Sequence, residues 1–216
     1  MKKIAIFGAG GFGREVRMLI EQINLQNNQW ELIGFFDDDF SHVRHIDPVL
    51  FLGGIQALNK WNEPLAVVFA IGNPIVKRRI IQKIDNPLIS FPTLIHPNVQ
   101  IGPSNVVIGA GCIICAGTII TCDIQIGKHV ILNLCCTVGH DAIVGDFSSF
   151  MPAVNISGEV IIGEAVYAGT GANFINQLEI GTGTIIGAGA VVSQSLPAHC
   201  TAVGVPAKPI KFHEAG

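Results

Sequence analysis

Charge is what this 216-residue chain lacks: Asp, Glu, Lys and Arg make up 13% of it, against 49% hydrophobic residues. So much apolar material under so little charge gives an ample core and an unusually apolar surface, which points to burial between subunits. The net charge of −3 comes without a basic cluster, so the electrostatic footprint of a nucleic-acid binder is missing. No apolar run approaches the roughly 18–20 residues of a membrane span. The short Ile4-Ala5-Ile6-Phe7 run before Gly8 is too brief for a secretory signal. Cys112 and Cys115 have metal-like spacing, but no second pair follows at a zinc-site distance and no three histidines show ligand spacing. Together with Cys122, Cys135, Cys136 and Cys200 they read as small residues in a reducing cytosol, so no metal and a cytoplasmic location are expected.

What is present is a repeat of six. Ile108, Ile114, Ile120, Ile126, Leu132, Val138, Val144, Phe150, Ile156, Ile162, Ala168, Phe174, Ile180, Ile186 and Val192 are all apolar, with no slip in phase. Neither a helical repeat near 3.6 nor a strand repeat of 2 produces this. A period of six belongs to hexapeptide solenoids, in which short strands separated by turns wind into a three-sided prism. Ile-Gly or Val-Gly pairs at 108–109, 126–127, 144–145, 162–163 and 180–181 mark full turns of 18 residues. Four residues after each apolar position the side chain is usually small or β-branched, as a tight corner requires. A parallel β-helix of about five coils, roughly 24 Å long at ~4.8 Å per strand, is expected. Earlier packing near Ile95 and Ile101 sits one residue out of phase.

Residues 1–90 follow a different grammar, that of a small α/β Rossmann-like domain, and residues 91–216 form the β-helix. Ile4–Phe7, Glu31–Phe36 and Leu65–Ile71 read as strands. They alternate with helices near 14–23, 55–59 and 75–84. Gly8-Ala9-Gly10-Gly11-Phe12-Gly13 fits GxGxxG between a strand and a helix, where backbone N–H groups meet a phosphate. Asp37 and Asp38 close the second strand, where an acidic side chain meets a ribose or base in such folds. About 85 residues hold one mononucleotide half, which suits a nucleotide-sugar better than a dinucleotide.

Within the prism the outward residues are bland except around Asn133-Leu134-Cys135-Cys136-Thr137-Val138-Gly139-His140-Asp141. His140 lies two residues past inward Val138 and points outward. An imidazole there can take a proton from an attacking amine or hydroxyl, and Asp141 can orient it.

The whole chain resembles the sialic acid O-acetyltransferase and bacillosamine N-acetyltransferase group of hexapeptide-repeat sugar acyltransferases. The likeness is carried by GAGGFGREV at 8–16, FFDDD at 35–39, AIGNPIVKRRI at 70–80, NLCCTVGHDAIVG at 133–145, VGVPAK at 203–208 and the hexads. The resemblance implies a left-handed winding and homotrimers whose prisms pack side by side, with acetyl-CoA in the groove between two subunits. It implies His140 as general base, with Asp141 tuning it and Asn133 nearby. The Gly158 N–H, one coil beyond His140, would face the thioester carbonyl. Gly10, Gly11, Asp37, Asp38, Gly72, Asn73 and Arg78 would hold the nucleotide-sugar. Two positions depart from the group: Phe12 and Ser149 stand where its amino-sugar N-acetyltransferases often have histidine, and Ser149 falls at a coenzyme contact.

The expected activity is N-acetylation of a nucleotide-linked 4-amino-4,6-dideoxy sugar for cell-surface glycans, by direct transfer in a ternary complex. O-acetylation of sialic acid or a related nonulosonate is the alternative within enzymes. A non-catalytic trimeric β-helix scaffold is the alternative outside them.

Overall fold

The computed structural model describes residues 1–39, 47 and 50–214. The first part contains β1 (Lys2–Phe7), α1 (Gly11–Asn27), β2 (Trp30–Phe36), β3 (Phe51–Gly53), α2 (Ile55–Asn59), β4 (Leu65–Phe69), α3 (Pro74–Ile81) and β5 (Ile89–Ser90). The strands form one parallel sheet in the order β3-β2-β1-β4-β5. Two of these strands were not expected, because three and two residues are too few to show a periodicity. β1 is central, and its alternate residues feed two cores: Ile4 and Ile6 pack with Val16 and Ile20 of α1, Ala5 and Phe7 with Leu58 and Ile80 on the other side. Continuous burial on both faces is why this strand reads as an unbroken apolar run. The sheet order reverses between β1 and β4, so the loops leaving their carboxyl ends diverge and leave a crevice, the usual ligand position in open parallel sheets.

From Leu94 onward the chain winds as a three-faced parallel β-helix. The first face holds the strands Leu94–Ile95, Ile113–Ile114, Ile131–Leu132, Ser149–Phe150, Tyr167–Ala168 and Ile185–Ile186. The second runs from Gln100–Ile101 through Thr137–Val138 to Val191–Val192, six strands, and the third from Val106–Ile108 to Glu179–Ile180, five strands. The hexad positions form the core: from Ile114 to Val192 every one is at most 3% exposed. The smaller corner positions, such as Cys112, Thr118, Ala142, Ser148 and Ala190, are equally buried. One coil lies ahead of the expected five. Its strands pair Ile95 with Ile114 and Ile101 with Ile120, offsets of 19, whereas Ile108 pairs with Ile126 at the regular 18. That is the one-residue phase change visible in the sequence. An antiparallel hairpin, Cys200–Gly204 with Ala207–Phe212, extends the first face beyond the last coil.

The corners repeat as strictly as the core. Asp123, His129, Cys135, Asp141, Phe147, Ala153, Glu159 and Ala165 all have φ between 53° and 62°. Non-glycine residues there cost about 1 kcal/mol or more each. Each one donates its N–H to a carbonyl on the preceding coil, as in His129 N to Ala110 O (2.8 Å), Asp141 N to Cys122 O (3.2 Å) and Glu159 N to His140 O (2.8 Å). Each coil is thereby tied to the one before it at the cost of local strain.

The α/β domain docks on the outward side of the first face. Ile113 and Ile131 point away from the prism axis, yet are 0% and 1% exposed, because they join the core of Ile4, Val16 and Ile20. Ile162→Asp, which places a carboxylate in the dry prism, is expected to abolish cooperative thermal unfolding of the soluble protein. A soluble variant with a native circular-dichroism spectrum would show that Ile162 does not face the core.

Candidate active site

The crevice of the α/β sheet is a cavity of about 400 Å³, lined by the β1–α1 loop, the end of β2 and the β4–α3 loop. The glycines of the first loop do different work. A Cβ on Gly13 would lie 1.9 Å from the Gly8 carbonyl oxygen, so this glycine lets α1 approach β1. A Cβ on Gly10 would meet nothing within 4 Å, and one on Gly11 only the end of Arg14. The fold has no internal need for glycine at those two places, which leaves bare backbone facing the cavity.

Asp37 and Asp38 also line the cavity, but as organisers of its walls. Asp37 is buried, with Oδ2 accepting from Ala9 N (2.7 Å) and Oδ1 from Asp39 N (2.9 Å), so it ties the glycine loop to the end of β2. Asp38 Oδ1 accepts from Ile55 N (2.8 Å) in the first turn of α2. Gly72 lines the same cavity. Asn73 caps α3, its Oδ1 accepting from Ile75 N (3.0 Å) and Val76 N (3.1 Å). A second cavity, of about 590 Å³, continues from Gly72 and Asn73 between α3 and the first face, where Met151, Tyr167 and Ile185 form its floor. Arg79 lines it and Arg78 lines neither cavity. The sequence reading missed Tyr167, Met151 and Arg79, although the hexad register already put Tyr167 at an outward position on a strand.

His140 and Asp141 stand at the corner between the second and third faces, where Val138 is the inward residue that fixes the register. Asp141, in left-handed backbone, turns its carboxylate back so that Oδ2 lies 2.8 Å from His140 Nδ1. Both side chains are 58% exposed. A carboxylate on Nδ1 holds the proton there and leaves Nε2 as the acceptor. Nε2 faces the next coil, where a Cβ on Gly158 would lie 2.5 Å from both Nε2 and Cε1. With the imidazole in this position a side chain on Gly158 would collide with it, so the backbone of Gly158 is adjacent to Nε2.

The structure does not bring the other two expected residues of the prism to this corner. Asn133 is buried at the corner between the first and second faces, its Oδ1 accepting from Leu134 N (2.7 Å). Ser149, expected at a coenzyme contact, corrects that expectation: it is 0% exposed, and its hydroxyl lies 3.0 Å from Lys77 Nζ of α3. The docked domain covers the strand position that carries it. Among the described residues, no group of three or more His, Cys, Asp or Glu is placed to hold a metal ion. None of their helices is long and apolar enough to cross a membrane.

Known proteins share this combination. The family of PglD N-terminal domains matches residues 3–84. A GDP-perosamine N-acetyltransferase of Escherichia coli O157:H7 is 32% identical over 98% of this chain and 97% of its own. The acetyltransferase domain of PglB from Neisseria gonorrhoeae FA1090, solved with acetyl coenzyme A, is 31% identical. It superposes with a TM-score of 0.86 over 97% of this chain and 99% of that one. PerB from Caulobacter crescentus, solved with CoA and GDP-perosamine, is 31% identical with a TM-score of 0.85 over 98% of each chain.

Asp37→Ala leaves the buried Ala9 N–H without its partner and is expected to destabilise the protein by about 1–3 kcal/mol in urea unfolding. A change within experimental error would mean that Asp37 does not anchor the glycine loop.

Proposed function

The chain belongs to the PglD-type hexapeptide-repeat nucleotide-sugar N-acetyltransferases, and from that premise we propose that it acetylates the amine of a nucleotide-linked 4-amino-4,6-dideoxy sugar, with acetyl-CoA as donor and His140 as general base. The observation that carries this reading is the His140 imidazole, its Nδ1 on Asp141 and its Nε2 beside the backbone of Gly158. His140 Nε2 removes the amine proton as nitrogen bonds to the thioester carbonyl carbon. Asp141 stabilises the imidazolium that results. As the carbon–sulfur bond breaks, His140 returns that proton to the sulfur. The Gly158 N–H donates to the carbonyl oxygen while it carries negative charge. No acyl-enzyme is needed, because the two substrates meet directly.

The cavity at Gly10, Gly11 and Gly72 suits the nucleotide: bare backbone N–H groups at the start of α1 receive phosphate. The adjoining cavity at Asn73, Arg79 and Tyr167 suits the sugar end. This favours a nucleotide-linked acceptor over free sialic acid. A scaffold would have no use for either cavity or for the imidazole.

The first cavity lies within the α/β domain and the second between that domain and the first face, whereas His140 occupies the corner opposite that face. One chain therefore does not present its own base to its own bound sugar, and the reading requires a second copy, as in a trimer of prisms packed side by side. The exposed Val107, Ile143 and Ile161 on the outward side of the third face supply apolar surface for such packing. Acetyl-CoA lies in the groove between prisms. Six free thiols and the two substrates fit the cytoplasm.

Release of free CoA from acetyl-CoA, measured with GDP-perosamine, a UDP-linked 4-amino sugar and sialic acid, tests the assignment. Turnover is expected with an amino sugar, and turnover with sialic acid alone would replace it. His140→Ala is expected to lower kcat by roughly 10²- to 10⁴-fold with the melting temperature near normal. Wild-type turnover in that variant would remove His140 from the mechanism. Gly158→Ala, which pushes a methyl group into the imidazole, is expected to lower kcat more than about tenfold while KM for the sugar changes little. An unchanged kcat would separate Gly158 from the reaction.

A further inference from the structure

The junction between the domains contains a lysine that the reaction above does not use. Lys77 lies on the side of α3 turned away from the cavities. It is 1% exposed, with Nζ 3.0 Å from Ser149 Oγ on the first face. On its other side α3 is the shared wall of the two cavities: Gly72 and Val76 line both, Ile80 lines the first, Asn73 and Arg79 the second. A helix of eight residues is too short to hold its place by itself. Its position over the fourth strand of the first face is therefore set by what it touches. Resting on the reading of these cavities as the nucleotide-sugar site, we propose that Lys77 is a positioning residue: its hydrogen bond to Ser149 fixes α3 on the β-helix and thereby sets the wall against which the nucleotide-sugar binds.

The chemistry of the junction supports this. A buried ammonium with one hydroxyl partner is a poor choice for stability alone, since an apolar side chain of similar length would fill the space without desolvating a charge. Burial lowers Lys77 to about 7, so above that pH a neutral amine donates to Ser149. The groups around it are Cys112 and His129 at prism corners, with Asp146 and Lys128 behind them. Burial pushes the Cys112 thiol up to about 11. Burial and then the Lys77 charge hold His129 down to about 4, while its ring stacks on Phe147 at 5.4 Å and edges Phe69 and Phe91. Asp146 Oδ1 accepts from Lys128 N (2.7 Å). Between those two limits neither His129 nor Cys112 changes charge, and Lys77 does. Its docked value lies below the 10.5 of a free lysine, so a released α3 binds the extra proton between those two values. Docking is therefore weakest below about pH 7 and tightens as pH rises above it.

Lys77→Met, Ser149→Ala and the double variant, in the full-length protein, test the proposal. Each single change is expected to raise KM for GDP-perosamine by roughly five- to tenfold, the loss of one hydrogen bond. The double variant should add nothing further. KM for acetyl-CoA should stay within about twofold, and Lys77→Met should melt no lower than wild type. Additive effects, an unchanged sugar KM, or a rise in the acetyl-CoA KM on Ser149→Ala would overturn it. Hydrogen exchange of the α3 amides, corrected for intrinsic rates, gives a readout that needs no substrate. Protection should grow with pH above about 7 in wild type and be flat in Lys77→Met, and equal pH dependence in both would contradict the proposal. If no acceptor is turned over, the functional reading fails while this exchange experiment still decides the role of Lys77 in docking.

Discussion

Every sixth residue of the prism donates its N–H to the coil before it from left-handed backbone, and the rest of the molecule depends on that repeated corner. It ties each coil to the one before it, it holds the coils in an 18-residue register, and it determines which side chains leave the prism and where. The accumulated strain is tolerated because the hexad core, dry from Ile114 to Val192, leaves the chain no alternative register. The same corner geometry makes the chemistry available. Asp141 reaches back to His140 because its own backbone is left-handed, and Gly158 lies under the imidazole because it is one turn further on.

A three-cornered solid also separates functions. The α/β domain covers one face, with one cavity inside the domain and one at its seam with that face, and His140 stands at the opposite corner. The proposed reaction needs more than a single chain with this arrangement, and prisms packed side by side would supply the rest. The sparse charge and the apolar residues on the third face are the surface counterpart of that requirement. On the proposed reading catalysis and assembly are one property, since His140 would meet a bound sugar only where two copies pack.

The prism was almost fully legible in the sequence, because its period is fixed by backbone geometry and each inward side chain repeats it. Even the offset of one residue near Ile95 and Ile101 survived into the strand pairing. The outward position of His140 beside Asp141 was legible for the same reason, whereas Gly158 came from the family resemblance, its 18-residue spacing agreeing with the place the coils give it. What depends on docking was not. Ser149 occupies an outward position, and only the seat of α3 turns it into a junction residue. Ile113 and Ile131, apolar at outward positions, were the available sign that this face is covered. Asp37 was found as an acidic residue ending a strand, but its use of both oxygens on backbone N–H groups follows from loop paths that no periodicity encodes. β3 and β5 escaped because two or three residues carry no pattern.

The central claim is that one chain binds the sugar and another supplies the base. Mixed assembly tests it most directly. A His140→Ala chain keeps the cavity and lacks the base. A Gly11→Trp chain keeps the base and fills the cavity from a position where a side chain meets little of the protein itself. Each should be inactive alone. Unfolded together in equal amounts and reassembled, they should recover about one quarter of wild-type turnover, since random pairing joins an intact cavity to an intact neighbouring base at that frequency in a closed symmetric ring. Mixed assemblies of confirmed composition that remain inactive would place base and cavity in the same chain and contradict the account.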